Sequence, residues 1–431
     1  MNTSSFPDPY TGRQLTGVAA LKEIATRQAK AARPPYLGPR TGDQLTALRS
    51  LERIADRNGA AVTQPFQITD STVMRLPRIT VLIPAHNEAA TIAQTLRSLW
   101  NQTMPVASVT VICDNCTDET AAVAAAEGAY VVASKGNTAR KAGALNQALA
   151  AVLPSLSNND YLLAMDADSA LCPGWLEAGA WVLAADSRVG AVCGAFLGEP
   201  GGGIMGQIQR NEFYRYARII KRRWQALVLS GTGTLFRVST LREIGRERGG
   251  RLPGMLGQFY SQKSITEDDE ITLAVKTLGF RCLCPPECET ITEVMPDWGA
   301  LWTQRMRWQK GTLGDLSSYG LTRVTFWYWM RQAGLYGGFA ISYACLFIMI
   351  GALLTAPGVS LAWTVGIISV TLIERTWTVR RGGRHGMLLA ALILPEAFYA
   401  MWQGWLFFAA AAASIQHREV AWGHIARRVT S

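Results

Sequence analysis

The sequence predicts an α/β fold built on a doubly wound mixed sheet, followed by an apolar helical region. Two patterns lead there. Between residues 78 and 170, short apolar runs alternate with helical stretches, the order that builds a mostly parallel sheet. The chain is 49% hydrophobic against 17% charged, and the apolar excess concentrates after Gly334. Acidic residues also recur just past the ends of the early apolar runs, where open α/β sheets bind ligands.

The chain of 431 residues has room for two or three domains: an extension over 1–77, an α/β domain over 78–318, and interfacial and transmembrane helices over 319–431. Its net charge of +10 suits anionic lipid or phosphorylated ligands. No basic run is interleaved with stacking aromatics, so nucleic acid is not an expected partner. The eight cysteines follow no secreted pattern and no signal-like apolar segment stands at the start, which points to a reducing cytoplasm for the α/β part. Cys282, Cys284 and Cys288 could begin a zinc site, but their irregular spacing suits buried thiols on a strand as well or better.

Residues 11–28 and 41–58 repeat each other at an offset of thirty, each with a helical apolar stripe (Leu15, Val18, Leu21, Ile24; then Leu45, Leu48, Leu51, Ile54). Two such helices cannot form a core alone. They dock a protein partner or a second copy, lie on an anionic membrane, or pack on the main domain or on each other.

The strands come in order. Ile79 to Ile83 runs into Pro84, and a helix is expected over 89–100. Val109 to Cys113 ends at Asp114, and Thr117 or Asp118 can cap the next helix. Tyr130 to Ala133 follows, and Tyr161 to Met165 then leads into Asp166 and Asp168. Side chains alternate along an extended segment, so Asp166 and Asp168 point the same way. Such a pair is either a polar turn or a seat for a divalent cation that offsets their repulsion. Glu88, Asp114, Asp166 and Asp168 all fall at strand carboxyl ends, and that coincidence favours a ligand site.

Six motifs now carry a resemblance: Pro84-Ala-His-Asn-Glu88, Asp114-Asn-Cys-Thr-Asp118, Lys141-Ala-Gly-Ala-Leu-Asn146, Asp166-Ala-Asp168, Thr266-Glu-Asp268 and Gln304-Arg-Met-Arg-Trp308. Their order resembles that of family 2 glycosyltransferases, and the last two resemble markers of the membrane-integrated branch with cellulose, chitin and hyaluronan synthases. The resemblance spans roughly residues 78 to 310 and implies a GT-A fold, a nucleotide-sugar donor, Mg or Mn, and inversion at the anomeric carbon. It implies that Asp114, with Glu88 and the backbone near Pro84, receives the base. Lys141 would face the diphosphate, with Arg140 a weaker candidate; Asp166 would lie near the nucleotide and Asp168 would hold the metal.

By the same resemblance Asp268 is the general base, with Asp269 a rival; the bare residues also read as an acidic start to a helix expected over 271–278. Gln304, Arg307 and Trp308 share a face of a helix expected over 298–310, where Trp308 suits a sugar ring and the polar pair suits pyrophosphate or acceptor hydroxyls. That helix equally suits a membrane surface. Ser230 to Phe236, with Gly231, Thr232 and Gly233, falls where the family carries an acceptor-side loop.

Leu321 to Met330 reads as an aromatic interfacial stretch, Ala333 to Ala356 and Val359 to Trp377 as spans, and Met387 to Ala413 as a third candidate interrupted at Pro395-Glu396. Basic residues flanking the first two place the catalytic part on the cytoplasmic side of a multi-pass inner-membrane protein. The expected activity is transfer of a sugar from a UDP-sugar to a saccharide or lipid-linked acceptor, once or processively. The alternative is a membrane-tethered scaffold that binds nucleotide sugar and recruits a partner through its N-terminal repeats.

Overall fold

The computed structural model describes residues 77–355 and 361–416, together with Phe6–Pro7 and Gln14–Leu15. The chain divides into two units, Met1–Leu76 and Pro77–Ser431. In the first, Phe6–Pro7 pairs antiparallel with Gln14–Leu15, so these two residues of the first repeat are extended rather than helical. The remainder of both repeats lies outside the described residues.

In the second unit β1 (Ile79–Ala85) is buried along its whole length. It is followed by α1 (Ile92–Trp100), β2 (Ser108–Cys113), α2 (Thr120–Ala126), β3 (Tyr130–Ala133), α3 (Arg140–Val152), β4 (Tyr161–Ala164) and β5 (Ala170–Leu171). Then come α4 (Trp175–Ala185), β6 (Val189–Cys193), β7 (Ala195–Gly198), α5 (Gly203–Arg223), β8 (Thr234–Arg237), α6 (Val238–Glu247), α7 (Glu267–Thr277), β9 (Arg281–Leu283) and β10 (Glu289–Thr292). The main sheet has seven strands in the order β9-β6-β8-β4-β1-β2-β3. All neighbours are parallel except β8, which runs antiparallel to β4 and β6. A small sheet, β5-β10-β7, lies beside it.

Burial on both faces explains the unbroken apolar runs of β1 and β4, whereas β3 at the sheet edge is largely exposed. Leu82, Ile112 and Leu162 pack on one face with Leu145 and Leu149 of α3 and Ile271 and Ala274 of α7. Val81, Ile83, Val111 and Leu163 pack on the other with Ile92 and Leu96 of α1 and Trp175 of α4. Cys282, Cys284 and Cys288 are buried, and the Cys288 thiol donates to the Trp175 carbonyl at 3.5 Å. They serve as small core residues.

Helix α7 begins at Glu267, four residues earlier than its apolar stripe suggests, and carries all four acids in its first turn. Negative charge there is favoured by the helix dipole. Its Glu270 forms a two-toothed ion pair with Arg248, both side chains at most 2% exposed. The second contact is 2.7 Å, Tyr319 donates to Glu270 at 2.6 Å, and Arg248 also donates to the Pro253 and Phe259 carbonyls.

The last helices are α8 (Trp298–Tyr319), α9 (Arg323–Thr355), α10 (Leu361–Thr378), α11 (Gly383–Ala391) and α12 (Leu394–Ile415). Helix α8 is N-capped by Asp297, whose carboxylate accepts from the Ala300 N–H, and runs to Tyr319, well past the expected end. The interfacial stretch and first span merge into the single helix α9. Among the described residues two helices are long and apolar enough to cross a membrane, Arg323–Ala352 and Leu394–Ile415. The expected second span is helical as α10 but falls short of that standard. The third candidate is broken at Ile393, whose φ is 57°, and the Pro395 ring starts α12. Its first half, α11, packs through Gly386 against α5, where a Cβ would meet Asn211 Oδ1 at 2.8 Å.

Replacing Glu270 with Gln leaves the buried Arg248 charge uncompensated. The expected loss is about 3–5 kcal/mol, read from urea unfolding of the detergent-solubilised protein, with the double change Arg248→Met and Glu270→Leu recovering most of it.

Candidate active site

Antiparallel pairing of β8 with β4 sets the site. Thr234 lies opposite Ala164, so the residues before β8 run alongside those after β4. The Asp166 N–H donates to the Gly231 carbonyl at 2.9 Å, and the Gly231 N–H donates to Asp268 Oδ2 at 2.9 Å. Leu229 is held to α7 by its N–H donating to Thr272 Oγ1 at 2.8 Å. Two segments a hundred residues apart thus meet through one glycine. A Cβ on Gly231 would lie 2.4 Å from Asp268 Oδ2, 2.6 Å from Lys141 Nζ and 3.0 Å from Asp166 Oδ2.

Lys141 stands at the centre. Its Nζ is 2.8 Å from Asp166 Oδ1, 2.8 Å from Glu267 Oε1 and 3.5 Å from Asp268 Oδ1. Burial alone would lower the ammonium, but Asp166, Asp268 and Glu267 hold it well above its ordinary value. Arg140 precedes it in the left-handed region at φ 55° and its carbonyl accepts from Asn137 Nδ2 at 2.7 Å. The same Asn137 amide donates to Asp114 Oδ1 at 2.9 Å, so one side chain ties the Asp114 loop to the start of α3. Gly143 leaves room for it, since a Cβ there would fall 1.9 Å from Asn137 Oδ1.

Asp114 is buried, and its Oδ1 also accepts from Ser134 at 2.6 Å and Asn115 at 3.2 Å. The Asp114 N–H donates to the Ala85 carbonyl, next to Pro84, at 2.8 Å. Glu88 accepts from Thr91 at 2.8 Å. Asp118 caps no helix as a formal N-cap, but it accepts from the Thr120 N–H at 3.0 Å and from the Ala89 N–H at 3.1 Å, joining the β1 and β2 loops.

Asp168 accepts from Ser169 Oγ at 3.1 Å. Burial, then Asp166, Glu293 and Glu88, push its carboxyl well above the usual range. Glu293 follows β10, whose pairing with β5 brings it to Asp168, and the Ser169 and Thr292 hydroxyls meet at 3.2 Å. Among the described residues no group of three His, Cys, Asp or Glu is preassembled for a metal. The donor set still fits a hard divalent cation, since Asp168 offers carboxylate oxygen amid excess negative charge, and such ions keep several positions for water and phosphate.

The adjacent acids face different ways. Asp268 points to Lys141 and Gly231. Burial pushes its carboxyl up to about 8, against the pull of Lys141, with Glu267, Asp166 and Asp269 adding repulsion. Asp269 accepts from Thr312 of α8 and lines a separate cavity of about 130 Å³ with Tyr216, Asp315 and Arg331. Burial lifts its carboxyl to about 6, less than it would without the Thr312 hydroxyl. Thr232 is buried, its hydroxyl 2.8 Å from that of Ser230, and a Cβ on Gly233 would meet Leu171 at 3.1 Å.

On α8 the Gln304 side-chain Oε1 is buried without a hydrogen-bond partner. Arg307 lies close enough to Glu267 to help hold that acid ionised. One face of the Trp308 ring is covered by Arg305, at 4.3 Å, whose guanidinium also donates to Glu212 at 2.9 Å. Glu267, Glu293 and Asn137 are the participants that sequence reasoning passed over. Glu267 was legible as the middle of Thr266-Glu-Asp268; the other two have no local signal.

The family model described as "Glycosyltransferase like family 2" matches residues 77–311. The chain belongs to this family. Its curated relatives include a probable glycosyltransferase, YdaM, of Bacillus subtilis, 27% identical over 256 residues, covering 55% of each chain. A poly-beta-1,6-N-acetyl-D-glucosamine synthase of Staphylococcus aureus is 26% identical over 253 residues, covering 56% of each. The chain spans about half the length of the curated relatives it matches. A mannosyltransferase from Pyrobaculum calidifontis, solved with GDP-Man and Mn2+, shares the fold with a TM-score of 0.51, at 20% identity, covering 93% of this chain and 100% of that one.

Gly231→Ala should separate Lys141 from Asp268 by forcing apart atoms now closer than a methyl allows. Sugar transfer by the purified variant should fall about 10²-fold while its melting temperature stays near wild type.

Proposed function

We propose that this chain is an inverting, membrane-bound glycosyltransferase that moves a sugar from a nucleoside-diphosphate donor, a UDP-sugar, to a saccharide or lipid-linked acceptor. The observation that carries the reading is the Lys141 ammonium shared by Asp166, Glu267 and Asp268. It joins the end of β4, where a nucleotide would sit, to the start of α7, where a base is needed. Membrane attachment rests on the length and composition of α9 and α12, with the catalytic part on the cytoplasmic side.

Asp114 is placed to accept a base N–H, since its loop is fixed by Asn137 and Ser134 before any ligand arrives. Lys141 lies where it can neutralise the leaving diphosphate as a point charge, and Arg307 approaches from α8. Asp168 is the residue that would hold Mg or Mn, which when bound supplies further neutralisation of the diphosphate. Asp268 takes the proton from an acceptor hydroxyl. That oxygen bonds to the anomeric carbon from the face opposite the diphosphate, and the carbon–oxygen bond to the diphosphate breaks with its electron pair leaving on the diphosphate. Asp269 points away from this point, toward Thr312, which favours Asp268 as the base.

Purified protein in detergent, given UDP-sugars and Mn2+, should release UDP and form a product of inverted configuration by NMR. Asp268→Asn should cut transfer about 10²–10⁴-fold, and an unchanged rate would refute the base assignment. Since a base must be ionised and burial raises Asp268 to about 8, transfer should climb as pH rises toward and past that value. The Asn variant should lose that limb.

A further inference from the structure

We propose that Glu267 is a positioning residue for the transfer: it holds the Lys141 ammonium on the diphosphate side, so that Asp268 keeps a carboxylate oxygen available to the acceptor hydroxyl. The proposal rests on the reading of Lys141 and Asp268 just given.

One ammonium serves three carboxylates, and they are not equivalent. The Glu267 side chain is 8% exposed, whereas those of Asp166 and Asp268 are 31% and 33% exposed. A buried carboxylate without a cation is far costlier than one that water or a ligand can reach. Glu267 therefore depends on Lys141 most, and the two aspartates can surrender their share when ligands arrive. Between the two acids of α7 the distances agree, with Glu267 at 2.8 Å and Asp268 at 3.5 Å, while Asp166 matches Glu267 at 2.8 Å.

Glu267 is itself well anchored. The preceding Thr266 donates to Asp315 Oδ2 of α8 at 3.0 Å, and it packs so closely on Gly311 that a Cβ there would lie 2.1 Å from the Thr266 hydroxyl. Burial opposes a charge on Glu267, yet Lys141 first and Arg307 second hold its carboxyl below the usual value. One acid at the start of α7 thus interacts with cations from α3 and α8, the two groups assigned to the diphosphate.

Without the Glu267 charge, Lys141 has two partners left and closes on Asp268. The groups that face Asp268 are Lys141 from α3, Asp166 beyond β4, the Gly231 N–H, Tyr260, and Glu267 and Asp269 on its own helix. Removing Glu267 deletes one repulsion and tightens the one attraction, so Asp268 becomes a weaker base that ionises at lower pH.

Glu267→Gln and Glu267→Asp should be compared with wild type in detergent, with UDP binding in Mn2+ followed by calorimetry and transfer followed against pH. The Gln variant should bind UDP several-fold more weakly, lose about 10²-fold in kcat, and show its pH limb about one unit lower. The shorter acid should restore part of kcat and of the limb. A Gln variant with wild-type kcat and pH limb would overturn the proposal, as would loss of UDP binding and kcat together with no shift in the limb. If the Gln variant does not fold, wild-type kcat and pH limb in the Asp variant would overturn it. Unchanged UDP binding and kcat in Lys141→Met would refute the underlying role of Lys141 instead, whatever Glu267 does.

Discussion

A single buried ammonium holds the centre of this protein together. Without Lys141, the carboxylates of Asp166, Glu267 and Asp268 would face one another with no ammonium between them. With it, residues from three separate parts of the chain become one charged site. The cation compensates only in part, for Asp268 still sits near 8 and Asp168 well above the carboxylate range. That residual negative charge gives the site its affinity for further positive charge and poises one carboxylate to take a proton near neutrality.

The arrangement follows from strand direction. A parallel strand in the place of β8 would send its preceding loop to the far edge of the sheet. Because β8 is antiparallel, residues 230–233 run beside the Asp166 turn, and Gly231 bridges that turn to α7 with its carbonyl and its N–H. The small sheet does the same for Asp168 by delivering Glu293 through the pairing of β10 with β5. Each loop is fixed by backbone bonds, so the side chains are in place before any ligand arrives.

The C-terminal helices are tied to the enzyme part by buried polar contacts as well as by apolar packing. Glu396 of α12, 2% exposed, meets Arg215 of α5 at 2.6 Å, Arg375 of α10 at 3.2 Å and Asn211 at 2.9 Å. Glu212 of α5 accepts from Arg305 of α8 and from Tyr399 and Gln403 of α12. Buried charges of this kind need their partners, so α10 and α12 have little freedom to move away from α5. Helix α8 lies between the site and α12, which places Arg307 and Trp308 within one packed layer of the apolar surface.

The sequence determined the parallel core of the sheet, since unbroken apolar runs spaced by helices have few other solutions. It also determined the family, because six short motifs in order are specific where any one is weak. What it left open were contacts between distant segments. Whether Asp268 or Asp269 faces the cleft depends on the rotation of α7, fixed by Leu229, Gly231 and Thr312. The sequence marks an interruption at Pro395-Glu396, and the structure puts the break at Ile393, with Gly386 of α11 packed against Asn211 of α5. Hydropathy registers how apolar a segment is, and only the tertiary structure decided whether protein or surroundings would cover it. The charge balance around Lys141 was likewise a tertiary outcome: local pattern named Asp166 and Asp268, and only the fold brought them with Glu267 to one ammonium.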